Sequence, residues 1–233
     1  MIRIDKFLCM MESCSRSQAR ELIKKGKVTV NGQIVKQAEV KIHEEKDRVS
    51  CQGREISFKP HVYYMLNKPA GVVSATRDKL DRTVLDLLKN APGKNLFPVG
   101  RLDKDTEGLL LVTNDGDLCH NLLSPAKHVP KTYLVKTAYT ISSVMKTGLE
   151  TGVDIGEDKP ARPAVVNILE DKAMELTITE GKFHQVKRML KAVGNEVIYL
   201  KRLSMGRLTL DETLLPGEYR QLTDTEIEKL RQG

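Results

Sequence analysis

Residues 100–116 read Gly100-Arg101-Leu102-Asp103-Lys104-Asp105-Thr106-Glu107-Gly108-Leu109-Leu110-Leu111-Val112-Thr113-Asn114-Asp115-Gly116. Glycines and polar or charged side chains, interrupted only by Leu102, run directly into an apolar stretch of strand length, and Asn114-Asp115-Gly116 then reads as a turn. The pattern describes a loop held by a buried strand, and loops presented on rigid scaffolds are frequent carriers of catalytic groups. By residue type alone, Asp103 is a carboxylate flanked by Arg101 and Lys104, which suits a surface ion pair as well as a catalytic acid. Asp105, two positions on in a loop, need not face it, so no paired acid and base is inferred from the spacing.

Working outward, further strand-like runs occur at residues 62–66, 133–135, 164–168, 174–178 and 197–200. Helical stretches are expected from Thr83 to Lys89, Ser142 to Gly148 and His184 to Val193. Strands outnumber helices, and several are joined too closely for βαβ crossovers. An α+β body with a mostly antiparallel mixed sheet and flanking helices is therefore expected. No repeat, GxGxxG or P-loop pattern interrupts it.

The first sixty residues differ in character. They hold 13 Lys/Arg against 8 Asp/Glu, and so most of the chain's net charge of +7. Ile4, Phe7, Leu8 and Met11 fall on one face of a helix. Ser15 with Gln18 forms a capping-box pattern for a second helix that stops at Gly26 and buries Ala19, Leu22 and Ile23. On that helix Arg16, Arg20 and Lys24 recur every four residues as one basic ridge, a candidate rail for phosphates. Val28 and Val30 lead to Asn31-Gly32, a strong two-residue hairpin signal, with Ile34 and Val35 returning. Gly53, Pro60 and the polar residues between them place a boundary near Gly53 to His61, dividing the chain into 1–59 and 60–233.

Composition narrows the function classes. A chain of 233 residues with 40% hydrophobic and 30% charged residues is globular rather than disordered, and it contains no apolar run of membrane-spanning length and no secretory leader pattern. Cys9, Cys14, Cys51 and Cys119 form no Cys-x-x-Cys pair and have no histidine at zinc-ligand offset, so neither structural zinc nor a disulfide framework is expected. The expectation is a cytoplasmic monomer with no metal, no cofactor and no membrane partner. The basic N-terminal segment favours a polyanion.

Two resemblances sharpen these expectations. Residues 5–35 resemble the small RNA-binding module named after ribosomal protein S4, also called the αL module, in which a helical pair and a hairpin present a basic surface to folded RNA. By that likeness Arg16, Arg20, Lys24, Lys25 and Lys27 are expected to contact phosphates, positioning the RNA without reading bases. Residues 100–116 are similar to the catalytic motif of pseudouridine synthases. The segments Leu66 to Ala75, Lys131 to Val135, Glu180 to Leu190 and Pro216 to Thr223 resemble the RsuA branch, which modifies small-subunit ribosomal RNA.

The resemblance implies residue roles. Asp103 matches the catalytic aspartate, and Tyr133 the tyrosine that stacks on the target base and takes part in proton transfer. Lys187 falls where the wider family places an arginine or lysine beside the aspartate, although adjacent Arg188 could fill that place or contact RNA. Arg101 is expected to position the motif or touch the nucleotide, and an aliphatic pocket residue should come from residues 197–200. His184 is expected to be structural or RNA-contacting.

The chemistry suits these residue types. Uridine isomerisation breaks a base–ribose bond, turns the uracil and rejoins it through carbon, with no redox change. The flipped base can stack on an aromatic face. An ionised aspartate can serve as nucleophile or as stabiliser of a positively charged sugar, with Lys187 favouring its charged form. The expected substrate is 16S ribosomal RNA, free or in a small-subunit assembly intermediate, since Lys187 resembles RsuA where large-subunit relatives more often carry arginine. A large-subunit RNA synthase of the same branch, a noncatalytic ribosome-assembly factor and a DNA binder are the alternatives.

Overall fold

The structure, a computed structural model, describes every residue except Ser13, Glu45, residues 57–60 and Gly233. Pro60, read above as a boundary marker, lies outside the described residues. The chain divides into two compact units, Met1–Val62 with Asn90–Asn95, and Tyr63–Lys89 with Leu96–Gly233.

In the first unit β1 (Ile2–Arg3) leads into α1 (Ile4–Met11), followed by α2 (Arg16–Lys24), β2 (Val28–Val30), β3 (Gln33–Ile34), β4 (Lys41–Ile42), β5 (Val49–Cys51) and β6 (Arg54–Ile56). Both halves of the Ser15–Gln18 capping box are formed, and Gly26 follows α2 with φ +66°, the left-handed conformation that closes a helix cheaply only at glycine. Ile4, Phe7 and Leu8 of α1 and Ala19 and Ile23 of α2 are buried together with Val28 and Val49, while Leu22 is only partly covered. β3, β2, β5 and β6 form an antiparallel sheet, with Asn31-Gly32 as its first hairpin turn. Gln52-Gly53, with φ of 52° and 81°, repeats this turn between β5 and β6. Gly53 therefore marks a hairpin and not the edge of the module; the same dihedral demand that selects glycine at a linker also selects it at a tight turn.

The second unit is built on β7 (Tyr63–Lys68), β8 (Phe97–Pro98), β9 (Glu107–Thr113), β10 (Lys131–Thr137), β11 (Val165–Glu170), β12 (Ala173–Ile178), β13 (Val197–Met205), β14 (Leu208–Thr209) and β15 (Tyr219–Gln221). The main sheet runs β11-β12-β10-β13-β9-β7-β15, with β14 beside β13 and β8 beside β9; all pairs are antiparallel except β13 with β9. The α+β expectation holds, and each of the strand-like runs falls on a strand. β7 and β9 are buried along nearly their whole length, in keeping with their apolar runs at residues 63–66 and 109–112, whereas β10 alternates in and out. Around them pack α3 (Gly116–Leu123), α4 (Ser143–Thr151), α5 (Gln185–Ala192) and α6 (Asp224–Arg231). Among the described residues no helix is long and apolar enough to cross a membrane.

Residues 83–89, expected as a helix, form only a 3₁₀ turn at Val84–Asp86. There the Asp86 carboxylate accepts hydrogen bonds from the Thr83 backbone N–H and hydroxyl. One glycine is decisive for the site. Gly108 has φ +98° and lies where β9 meets β13; a Cβ there would meet the Arg202 carbonyl oxygen and, at 2.7 Å, its backbone nitrogen. Any side chain would push apart the only parallel strand pair among the described residues, at the exit of the Asp103 loop.

Candidate active site

The loop from Gly100 to Thr106 joins β8 to β9, and its inner side is held by residues from β7 and the segment after it. Lys68, the last residue of β7, is fully buried, and its ammonium donates to the carbonyls of Thr106 (2.8 Å), Asp103 (3.0 Å), Pro69 (3.0 Å) and Lys104 (3.3 Å). Burial lowers its pKa to about 8, against the opposing pull of Asp105, Asp103 and Glu107. The Ser74 hydroxyl donates to the Leu102 carbonyl at 2.9 Å and accepts the Leu102 N–H at 3.1 Å. The Gly71 N–H donates to the Lys104 carbonyl, and the Thr106 N–H to that of Asp103. The backbone around Asp103 is thus fixed by at least seven hydrogen bonds that do not involve its own carboxylate.

The outer side carries the charge. Lys187, on α5, places its ammonium 3.1 Å from Asp103 Oδ2 and 2.6 Å from Asp105 Oδ1. His184, the N-cap of that helix, brings Nε2 to 3.6 Å from Asp103 Oδ1. Burial works against charge on Lys187, but its hydrogen bonds to Asp105 and Asp103 outweigh this and raise its pKa; Asp105 is lowered by the same bond. Asp105, set aside on spacing grounds, therefore shares a cation with Asp103. Two carboxylates two residues apart meet through a third group that no local pattern reveals.

Asp103 and Lys187 border a shallow cleft that is open to solvent. Arg101 lies at its rim, exposed and with no polar partner among the described residues. Tyr133, Ile178 and Leu200 form an apolar wall. Of residues 197–200, Leu200 is the one that reaches the cleft. Tyr133 sits where the register of β10 against β13 shifts: Thr132 pairs with Ser204 but Tyr133 with Arg202, so Leu203 is an extra residue in β13. Bulges of this kind redirect side chains beside functional sites.

Asp103, Tyr133, Lys187 and Arg101 are thus brought together. Arg188 is not: its guanidinium donates to Glu157 Oε1 at 2.7 Å, to the Phe183 carbonyl, and to the carbonyls of Ile155 and Gly156. Lys187, and not Arg188, lines the cleft beside Asp103. One position further along α5, Arg188 points to a different side of the helix. Lys68 and Ser74 escaped residue-level reading, since a lysine and a serine near the end of an apolar strand carry no signal of carbonyl clamping. In the first unit Arg16, Arg20, Lys24, Lys25 and Lys27 are all exposed; Lys25 pairs with Glu21 at 2.7 Å and Arg20 lies 3.6 Å from Asp5, leaving Arg16, Lys24 and Lys27 unpaired among the described residues.

Sequence comparison matches residues 62–192 to the family described as RNA pseudouridylate synthase and residues 2–49 to the S4 domain. The chain belongs to the RNA pseudouridylate synthase family. Within it, the chain is 47% identical over 236 residues to the uncharacterized RNA pseudouridine synthase YtzG of Bacillus subtilis, covering 99% of each protein. It is 43% identical to the ribosomal small subunit pseudouridine synthase A of Vibrio cholerae, covering 97% of this chain and 98% of that one. A solved structure described as a pseudouridylate synthase superposes with a TM-score of 0.70 at 40% identity, covering 99% of this chain and all of the other. The chain is a pseudouridine synthase of the RsuA family with an S4 domain at its N-terminus, acting on RNA.

Proposed function

We propose that this enzyme isomerises one uridine of 16S ribosomal RNA, the site that RsuA modifies, and that Asp103 is its catalytic carboxylate. The observation that carries the chemistry is the placement of the Asp103 carboxylate at an open cleft, paired with Lys187 and sharing that cleft with Tyr133. Supporting the substrate assignment, relatives at 41–43% identity over nearly the full length, in Vibrio, Haemophilus and Escherichia, are named ribosomal small subunit pseudouridine synthase A.

In this reading the target uridine leaves its stack and enters the cleft, where the Tyr133 ring covers one face of the uracil and returns part of the unstacking cost. The C1′–N1 bond breaks, the uracil turns, and a C1′–C5 bond forms; N1 gains a proton and C5 loses one, so electrons balance without a redox partner. Asp103 meets the electron-poor C1′ or the uracil ring as nucleophile, or stabilises the developing positive charge. Lys187 balances the carboxylate's charge and fixes its orientation, and the clamped backbone prevents retreat. In this reading Tyr133 also moves the proton from C5. Exposed Arg101 holds a phosphate at the rim, and Arg16, Arg20, Lys24, Lys25 and Lys27 anchor the RNA at the S4 domain.

The test is to map pseudouridine at single-nucleotide resolution in ribosomal RNA from cells with and without this protein. One 16S site should disappear and return with the wild-type chain. Loss of a 23S site instead, or of none, contradicts the proposal.

A further inference from the structure

Beside the cleft stands an aromatic side chain that the catalytic reading leaves without a task. Phe183 is 69% exposed, in a chain with four phenylalanines and no tryptophan. Phe7, by contrast, is only 1% exposed. The Phe183 ring stacks on the His184 imidazole, with centroids 3.8 Å apart and planes 18° from parallel. One face is therefore covered by His184, and the exposure belongs to the other face and the edge.

The ring is held out by a pinned segment. Gln185 accepts the Lys182 backbone N–H at 2.8 Å and donates to Glu180 at 2.6 Å. The Lys182 ammonium donates to the Lys159 carbonyl at 2.8 Å, and Arg188 donates to the Phe183 carbonyl at 3.2 Å. His184 itself adopts φ +48°, a conformation uncommon for residues other than glycine and costly to hold without surrounding support. This turn presents an apolar ring to water at the lip of a charged cleft, where burial would ordinarily be favoured.

We propose that Phe183 and His184 form a stacking shelf for the nucleobase adjacent in the strand to the uridine held in the cleft; the inference rests on the function proposed above. His184 joins the two places, being stacked on Phe183 and 3.6 Å from Asp103, so the open face of Phe183 lies about one nucleotide's reach from the carboxylate. Extruding a base strips its neighbour of a stacking partner, and an aromatic face replaces that partner whatever the base. The shelf contributes RNA affinity and strand position and leaves base choice to other contacts. Arg188 then acts on the protein side, fixing the turn that presents the ring.

The experiment uses the full-length chain and small-subunit ribosomal RNA labelled with [5-³H]uridine, free or in partly assembled particles, whichever the wild type turns over faster. Tritium release under single-turnover conditions gives the saturating rate and the half-saturating enzyme concentration. Phe183→Ala and Phe183→Leu should each raise the half-saturating concentration about tenfold and leave the saturating rate within about twofold, while Phe183→Trp should match the wild type. Phe183→Leu behaving as wild type would show that apolar bulk suffices and overturn the shelf, as would an unchanged half-saturating concentration for Phe183→Ala. A wild-type chain that releases no tritium contradicts the proposed function itself; an active wild type with an indifferent Phe183→Ala contradicts only the shelf.

Discussion

Lys68 and Lys187 approach the same loop from opposite sides, and their environments drive them in opposite directions. Lys68 meets backbone carbonyls from inside the domain, where burial lowers its pKa to about 8. Lys187 meets the carboxylates of Asp103 and Asp105 from the solvent side, where those partners outweigh burial and its pKa rises. Carbonyl dipoles and distant carboxylates do not fully compensate the desolvation of an ammonium, whereas direct carboxylate contact does. The inner lysine therefore fixes where the loop is, and the outer one sets the field in which it works.

Substituting each lysine separates these tasks. Lys68→Met removes the donor shared by the carbonyls of Pro69, Asp103, Lys104 and Thr106, so a loss of about 2–4 kcal/mol in urea unfolding is expected. The same variant should lose about 100-fold or more in single-turnover rate as Asp103 drifts from its position. Lys187→Met should lower the rate about 10- to 100-fold while shifting stability by less than about 1 kcal/mol, and Lys187→Arg should recover much of the rate. Equal stability losses for the two methionine variants would erase the distinction.

The contrast also has a pH signature. Between about pH 8 and the unfolded lysine value near 10.5, the native state has released a proton from Lys68 that the unfolded chain still holds. The unfolded state then binds more protons, so Lys68 contributes a rise of stability with pH across that window. Urea unfolding at stepped pH should show this component in the wild type and its absence in Lys68→Met. The smallest effect concerns the charges proposed to do no more than hold RNA. Replacing Arg16, Lys24 and Lys27 with glutamine should reduce the slope of log affinity against log salt by about 0.7–0.9 for each phosphate no longer neutralised, measured by anisotropy with a small-subunit RNA fragment, with little change in saturating rate.

Much of the scaffold is legible in the sequence because its signals are local. The Ser15–Gln18 cap, the Asn31-Gly32 turn and the apolar runs of β7 and β9 each declare themselves within a few residues. α3 is hidden because Asn114-Asp115-Gly116 reads equally as a turn, whereas Asp115 is an N-cap accepting the Leu118 N–H. α6, not among the expected helices, does carry a local signal: Thr223 with Glu226 forms the same capping box as Ser15 with Gln18. The candidate site is legible in its parts through family motifs, and its assembly is not. Lys68 lies 35 positions before Asp103 and Lys187 lies 82 after Asp105, and only the sheet brings them together.

In the proposed mechanism the Asp103 carboxylate, held by a clamped loop, performs the chemistry. Tritium release from [5-³H]uridine-labelled small-subunit ribosomal RNA by the wild type and by Asp103→Asn tests it most directly, with RNA affinity measured on the same samples. The variant should bind RNA as the wild type does and release tritium at least about 10³-fold more slowly. Equal rates of release would contradict the claim.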